Sequence, residues 1–410
     1  MVVRALVGAM LGAMSLSVVA CSPFGGGAFS CERDDQCGLG KCSMSYCSFV
    51  DSSCPSGYRF GDASGPLANT CVGETSGGSD ASVHDIDAKT YLDAPPPGVV
   101  CFGQGFGKTC FDTANVPTTP ATLTAQTINT DTSPLCSTVV QNNPGWCVIA
   151  ATDLTVTGAV NATGGKPLVL LATGTLQVDG TLDVASHRGG QTGAGAVTNN
   201  ATLCDPGTPP GNNGGGAGGS FGSIGGNGGN GGGTAGAIKP TNTMRGGCAG
   251  QDGKTGTNGT KGAGGGVAYL IAGTKITVGG AINASGAAGT GGVTGNAGAG
   301  GGGAGGLIGL DAPMVTNGGA IYANGGGGAE GSGNTTKGND GNESSLGVAA
   351  AATASASNGG DGGAGGAGTP AGKGGDAATF GGGGGGGGAG AIKLFQATAI
   401  TGGVVSPPPS

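Results

Sequence analysis

The sequence predicts an all-β fold, a parallel β-solenoid (β-helix) with long Gly-rich insertions, preceded by a small disulfide-rich module. Three observations carry this expectation. One plan recurs in IAATDLTVTGAVNATG from Ile149, LATGTLQVDGTLDVAS from Leu171, IAGTKITVGGAINASG from Ile271, LDAPMVTNGGAIYANG from Leu310 and AIKLFQATAITGGVV from Ala391. Within a copy apolar and polar residues alternate, the period of a strand with one buried face. Glycine supplies 101 of 410 residues, charged residues 10% and aromatics 4%, a composition outside the normal globular range and unsuited to an ordinary enzyme core.

Residues 1–20 read as an export signal. Arg4 gives a positive start, Ala5 to Val19 form a short apolar stretch, and Ala20 is the small residue before Cys21. Val18-Val19-Ala20-Cys21 resembles the bacterial lipobox, which implies that Cys21 is lipidated and anchors the chain to a membrane. The competing reading is an ordinary signal peptide cut nearby, with Cys21 a spare thiol.

Setting Cys21 aside leaves an even 12 of the 13 cysteines: Cys31, Cys37, Cys42, Cys47, Cys54, Cys71, Cys101, Cys110, Cys136, Cys147, Cys204 and Cys248. Six disulfides in an oxidising compartment are expected. Zinc is the competing use of close cysteines, but there is no C-x-x-C pair and the only histidines are His84 and His187. No metal or cofactor is therefore expected. The net charge of −7, without a dense Lys/Arg run, argues against a nucleic-acid partner.

Residues 21–72 hold the lipidated cysteine and six closely spaced cysteines among few aliphatics, a module too small to fold on apolar burial alone. Six cysteines allow fifteen pairings, so the connectivity stays open. Residues 73–99, rich in Ser, Gly and Asp and ending in three prolines, read as a linker. The Gly-rich β-solenoid domain is placed at 100–405, with a Pro-rich tail at 406–410 whose Pro407, Pro408 and Pro409 would protect an exposed last strand.

In the first copy Leu154, Val156, Gly158, Val160 and Ala162 share one parity; in the second, Leu176, Val178, Gly180, Leu182 and Val184 do. Asp179-Gly180 could be the turn of a hairpin. That pairing would split the apolar set between two faces, whereas a strand that bends at the glycine keeps the set together. The first two copies are 22 residues apart, and PLVLLAT between them supplies a further strand, which fits one rung of a solenoid.

Later rungs are separated by Gly-rich insertions at roughly 187–266, 286–306 and 325–390. They read either as disordered loops, because ordering glycine is entropically costly, or as packed polyglycine helices resembling the Gly-rich layers of some antifreeze proteins, phage adhesins and receptor ectodomains. Cys204 and Cys248 favour order in the first insertion. Paired with each other, or back to Cys136 or Cys147, they tether it.

A carbohydrate-cleaving β-helix needs paired carboxylates, or a carboxylate with a basic partner, on one face. Asp179, Asp183, His187 and Arg188 are the candidates, although the next copy has Gly279 and Asn283 at the carboxylate positions and a solvated rim is the plainer reading. GNDGNESS and GGDGGAGG suggest calcium but lack the regular nonapeptide spacing. GSFGSIGGNGGNGGG has no Rossmann context. The N-A-T, N-G-T and N-A-S sequons read as Asn at bends.

With these segments in place, the chain resembles uncharacterised Cys- and Gly-rich lipoproteins of myxobacterial type over nearly its whole length. It is similar in composition alone to mycobacterial Gly-rich repeat proteins of the PGRS type. The resemblance implies a location in the cell envelope, and Ser22 after the lipidated cysteine, by resemblance to sorting in other bacteria, permits an outer-membrane lipoprotein facing the surface or the periplasm. The expected role is non-catalytic, structural or adhesive, with a glycan or envelope polymer as partner. The alternative is a polysaccharide lyase or hydrolase.

Overall fold

The structure, a computed structural model, describes residues 31–72 except 32, 39, 63, 65 and 66, together with 98–141, 145–197, 201–344 and 359–410. The export signal, Cys21, His84 and most of the linker lie outside the described residues. The chain forms two compact units, Met1–Lys89 and Thr90–Ser410.

In the first unit, β1 (Lys41–Ser43), β2 (Tyr46–Val50) and β3 (Tyr58–Phe60) make an antiparallel sheet. Disulfides join Cys31 to Cys42, Cys37 to Cys47 and Cys54 to Cys71. Its small core is the packed cluster of Cys31, Cys37 and Cys47. Cross-links thus replace apolar burial, as the sequence predicts. Although these three sulfurs lie close enough for a shared metal, each is already consumed in a disulfide.

The second unit is nearly all strand. β4 (Val99–Phe102), β5 (Thr109–Asp112) and β8 (Val140–Gln141) form a small antiparallel sheet, with Cys101 and Cys110 paired across β4 and β5. This sheet is not expected from the sequence, which places only solenoid strands and Gly-rich insertions in 100–405. Its strands are short and carry no repeat, so nothing in their pattern separates them from the body.

The remaining strands build three parallel sheets. The first orders β9 (Cys147–Ala151), β12 (Leu168–Ala172), β15 (Val267–Ala272), β18 (Leu307–Ala312) and β21 (Ala391–Gln396). The second orders β6 (Ala121–Leu123), β10 (Leu154–Val156), β13 (Thr175–Val178), β16 (Lys275–Val278), β19 (Met314–Asn317) and β22 (Ile400–Thr401). The third orders β7 (Gln126–Asn129), β11 (Ala159–Thr163), β14 (Thr181–Asp183), β17 (Ala281–Asn283), β20 (Ala320–Tyr322) and β23 (Val404–Ser406).

Each recurring sequence copy therefore spans three strands, one in each sheet. Leu154, Leu176, Ile276, Val315 and Ile400 stack in register across the second sheet. Val160, Leu182, Ile282, Ile321 and Val405 do so across the third. These residues share one core with Leu168, Leu170, Leu270, Ile308 and Leu310 of the first sheet. Each such side chain contributes about 1.5 to 3 kcal/mol once its neighbours cover it.

The chain bends at Asp179-Gly180 and β13 and β14 enter different sheets, so no hairpin forms there. The glycine that recurs at this column is required by close approach. A Cβ on Gly180 would lie 2.2 Å from the carbonyl oxygen of Gly158, and one on Gly280 would lie 1.9 Å from that of Gly180. Successive copies press backbone on backbone here.

The first sheet is buried on both faces, which accounts for the unbroken apolar runs LVLLA and VAYLIA. Val169, Leu171, Tyr269 and Ile271 turn outward under Phe102, Phe106 and Phe111, supplied by β4, β5 and their connection. Asp311 fastens this cover. Fully buried, it accepts hydrogen bonds from the backbone N–H groups of Gln104 (2.8 Å) and Gly105 (2.9 Å), from the Tyr269 hydroxyl (3.1 Å) and from Gln396 Nε2 (2.8 Å). Burial and the Asp311 charge push the Tyr269 hydroxyl well above its ordinary pKa.

The described parts of the Gly-rich insertions are ordered. Gly259, Gly262 and Gly265 donate to the carbonyls of Gly298, Gly301 and Ala304, a bond every third residue on both runs. This is the period of a three-residue extended helix. The run 298–306 exchanges such bonds with six others, at 216–219, 248–254, 259–265, 284–290, 323–329 and 382–388. A side chain has no room inside this layer: a Cβ on Gly303 would stand 2.0 Å from the Ala263 carbonyl oxygen. Cys204 pairs with Cys248 across 44 residues, and Cys136 pairs with Cys147, so the first insertion is closed on itself.

Candidate functional site

Among the described residues, His187 gathers the densest set of charged side chains. It follows β14 in the loop that leads into the first insertion. Its Nε2 lies 3.3 Å from Asp183 Oδ2 and its Nδ1 2.8 Å from Glu343 Oε2. Arg188 donates its backbone N–H to the other Glu343 oxygen and a guanidinium N–H to the Gly341 carbonyl. Its Nε is 3.7 Å from Asp340, whose other oxygen is 3.7 Å from Lys337 Nζ.

The charge states follow from these contacts. Hydrogen bonds to Asp183 and then Glu343 outweigh desolvation and raise the His187 pKa to about 10, so the ring is an imidazolium at neutral pH. Burial pushes Glu343 upward, but the hydrogen bonds from His187 and Arg188 prevail and hold its carboxyl below the usual range. Asp183 Oδ1 also accepts the Ala185 N–H at 2.8 Å. An imidazolium locked between two carboxylates is a hydrogen-bond donor and a poor proton acceptor.

Of the four residues considered for catalysis, the structure brings Asp183, His187 and Arg188 together. Asp179 is separate: it stands at the bend after β13, where both its oxygens accept from Gln177 Nε2 at 2.8 Å. Glu343 and Asp340, both from GNDGNESS, complete the cluster instead. That stretch contributes its carboxylates to the cationic loop rather than to a recognisable calcium repeat. Nothing local in the sequence marks the link, because the partners are separated by 156 positions.

Beside His187, the outer face of the third sheet forms a cleft of about 300 Å³. In-register strands carry Thr127, Asn161 and Asp183 side by side on it. A neighbouring cleft of about 400 Å³ shares Thr163 and Gln191 with the first and adds Asn129 and Thr192. Asn161 and Asn283 sit within strands β11 and β17, not at bends as the sequon reading expects. Asn161 is exposed on its strand, whereas Asn283 is buried.

A larger cavity, about 570 Å³, lies between the segment 201–210 and the glycine runs. Three of its polar side chains, Asp205, Gln251 and Asp252, are already committed. Gln251 bonds Pro206, Thr208 and Thr234 carbonyls, Asp252 accepts from the Lys261 N–H and Asp205 from the Gly207 N–H. No protein-family model matches the chain, and neither a curated protein nor a solved structure matches it.

Proposed function

We propose that the chain is a lipid-anchored envelope protein whose parallel sheets form one β-solenoid, and that the solenoid serves a non-catalytic, adhesive role. The solenoid reading is supported by the strand order: successive triplets visit the three sheets in the same sequence and in register. The anchor rests on the lipobox-like residues before Cys21, and export fits the six disulfides of the described chain.

The observation that carries the adhesive reading is the ordered glycine layer. A backbone-bonded layer joined to a repeated sheet body provides a broad, rigid face with little charge, suited to a polymer partner. Binding is favoured over cleavage because the imidazole that a cleaving enzyme would use as a base is held protonated by Asp183 and Glu343.

Treating intact cells with a large, membrane-impermeant protease and following the second unit with an antibody tests the location. Digestion is expected, with a periplasmic protein spared as the lysis control. Protection on intact cells, with digestion after lysis, moves the role to a periplasmic scaffold. Cells producing the chain truncated after Val99 should also lose adhesion to isolated envelope polysaccharide.

A further inference from the structure

We propose that the paired clefts on the third sheet are a binding groove for a neutral, hydroxyl-rich oligosaccharide. The inference rests on the adhesive reading and names its ligand class and its residues.

The groove is built by register. Thr127, Asn161 and Asp183 stand on adjacent strands, about 4.8 Å apart, and Asn129 and Thr163 form a second row two residues further along, roughly 7 Å away. The loop residues His187 and Gln191 make the wall, and the two clefts are continuous through Thr163 and Gln191. The side chains of Thr127, Asn161, Thr163 and Gln191 have no hydrogen-bond partner among the described residues, unlike Asp205, Gln251 and Asp252 in the larger cavity.

The chemistry of the lining selects the ligand. Asn and Gln amides and Thr hydroxyls each offer both a donor and an acceptor, which is what a sugar hydroxyl also offers. An anion is disfavoured, because the single imidazolium is already matched by Asp183 and Glu343. A cation would meet Asp183, whose charge His187 already matches. An apolar peptide side chain would find only Ala162 and Ala185, both buried, on the cleft floor.

The test uses the full chain in detergent, with neutral oligosaccharides of glucose, galactose and N-acetylglucosamine as probes and uronate oligosaccharides as the charged comparison, read by calorimetry. A neutral probe should bind. Asn161→Ala with Gln191→Ala should weaken it by at least about tenfold, the loss expected when paired polar groups are left unmatched. Thr277→Ala, on the outer face of the second sheet, should leave binding unchanged. Thr127→Val, which removes a hydroxyl at constant shape, serves as a second variant if the double substitution alters thermal unfolding.

Failure of every neutral probe to bind, preference for uronates, or undiminished binding by both variants overturns the groove. The two proposals separate in the polysaccharide adhesion assay. Wild-type adhesion by the groove variants sinks the groove alone, whereas adhesion by the chain truncated after Val99 sinks the adhesive reading. Cleavage of a bound probe would keep the groove and overturn the non-catalytic role.

Discussion

The imidazole Nδ1 of His187 lies 2.8 Å from a carboxylate oxygen of Glu343, 156 residues later in the chain. Through that contact the loop after β14 holds the loop 337–343, which itself bonds the glycine runs: Gly338 and Gly341 donate to the carbonyls of Gly292 and Gly289. An ion pair at the rim thus closes the edge of a layer held mainly by backbone.

Its pH dependence has a definite sign. A folded pKa raised from 6.5 to about 10 means that His187 adds stability fully below 6.5, and that this contribution fades as pH rises through about 10. Glu343 is depressed below 4.5, so its share is present above that value and is lost as acid titrates the folded carboxyl. The difference in melting temperature between wild type and His187→Gln should be largest between about pH 4.5 and 6.5 and shrink towards both extremes. The cluster is half-exposed, so the difference should be a few degrees at most. A pH-independent difference would contradict the ion-pair account.

Alanine at Gly303 should be far more damaging than alanine on an exposed surface. Its Cβ would meet the Ala263 carbonyl oxygen at 2.0 Å, a backbone atom already held by the Ala287 N–H. Overpacking against such an atom costs about 1 to 3 kcal/mol or more. Gly318→Ala is the control, because its nearest atom is 3.8 Å away and its backbone angles are ordinary. Equal denaturation midpoints for the two variants would mean that the layer tolerates side chains.

Legibility in the sequence followed from how local each signal was. The alternation of Leu154, Val156, Val160 and Ala162, and its recurrence at Leu176 and Ile276, needed only neighbours a few residues apart, and it located the strands and the bend at Gly180. The strands β6 and β7 went unnoticed because they bury little beyond Leu123 and Ile128. The glycine layer was left open between order and disorder, since a run of glycines carries no pattern and its hydrogen bonds reach to distant runs. Glu343 and Asp340 were missed as partners of His187 and Arg188 for the same reason.

Asp311 should be the most sensitive single point on the covered face of the first sheet. Asp311→Ala leaves two backbone N–H groups, the Tyr269 hydroxyl and the Gln396 amide without their acceptor. Each buried donor left unmatched costs about 1 to 3 kcal/mol, so a loss of several kcal/mol is expected. Asp311→Asn should be milder, because it retains one acceptor oxygen and Gln396 can turn its own carbonyl towards the new amide. Urea denaturation of both variants decides this, and equal losses would show that the charge, rather than the acceptor geometry, dominates.

The Cys204–Cys248 bridge makes the last prediction, on the wall of the larger cavity. Closing 44 residues restricts the unfolded chain by about 4 kcal/mol in the chain-entropy model. Replacing both cysteines with serine should lower stability by up to that amount, and it should act locally first. The segment 201–210 belongs to none of the sheets, and its bonds include those of Gln251 to Pro206 and Thr208 and of Thr208 with Thr234. Hydrogen exchange should therefore rise in 201–210 before it rises in β12 or β15, whose amides are paired on both sides within the first sheet. Uniform exchange across all of these segments would instead mean that the insertion and the sheets unfold as one cooperative unit, with the disulfide acting on the whole.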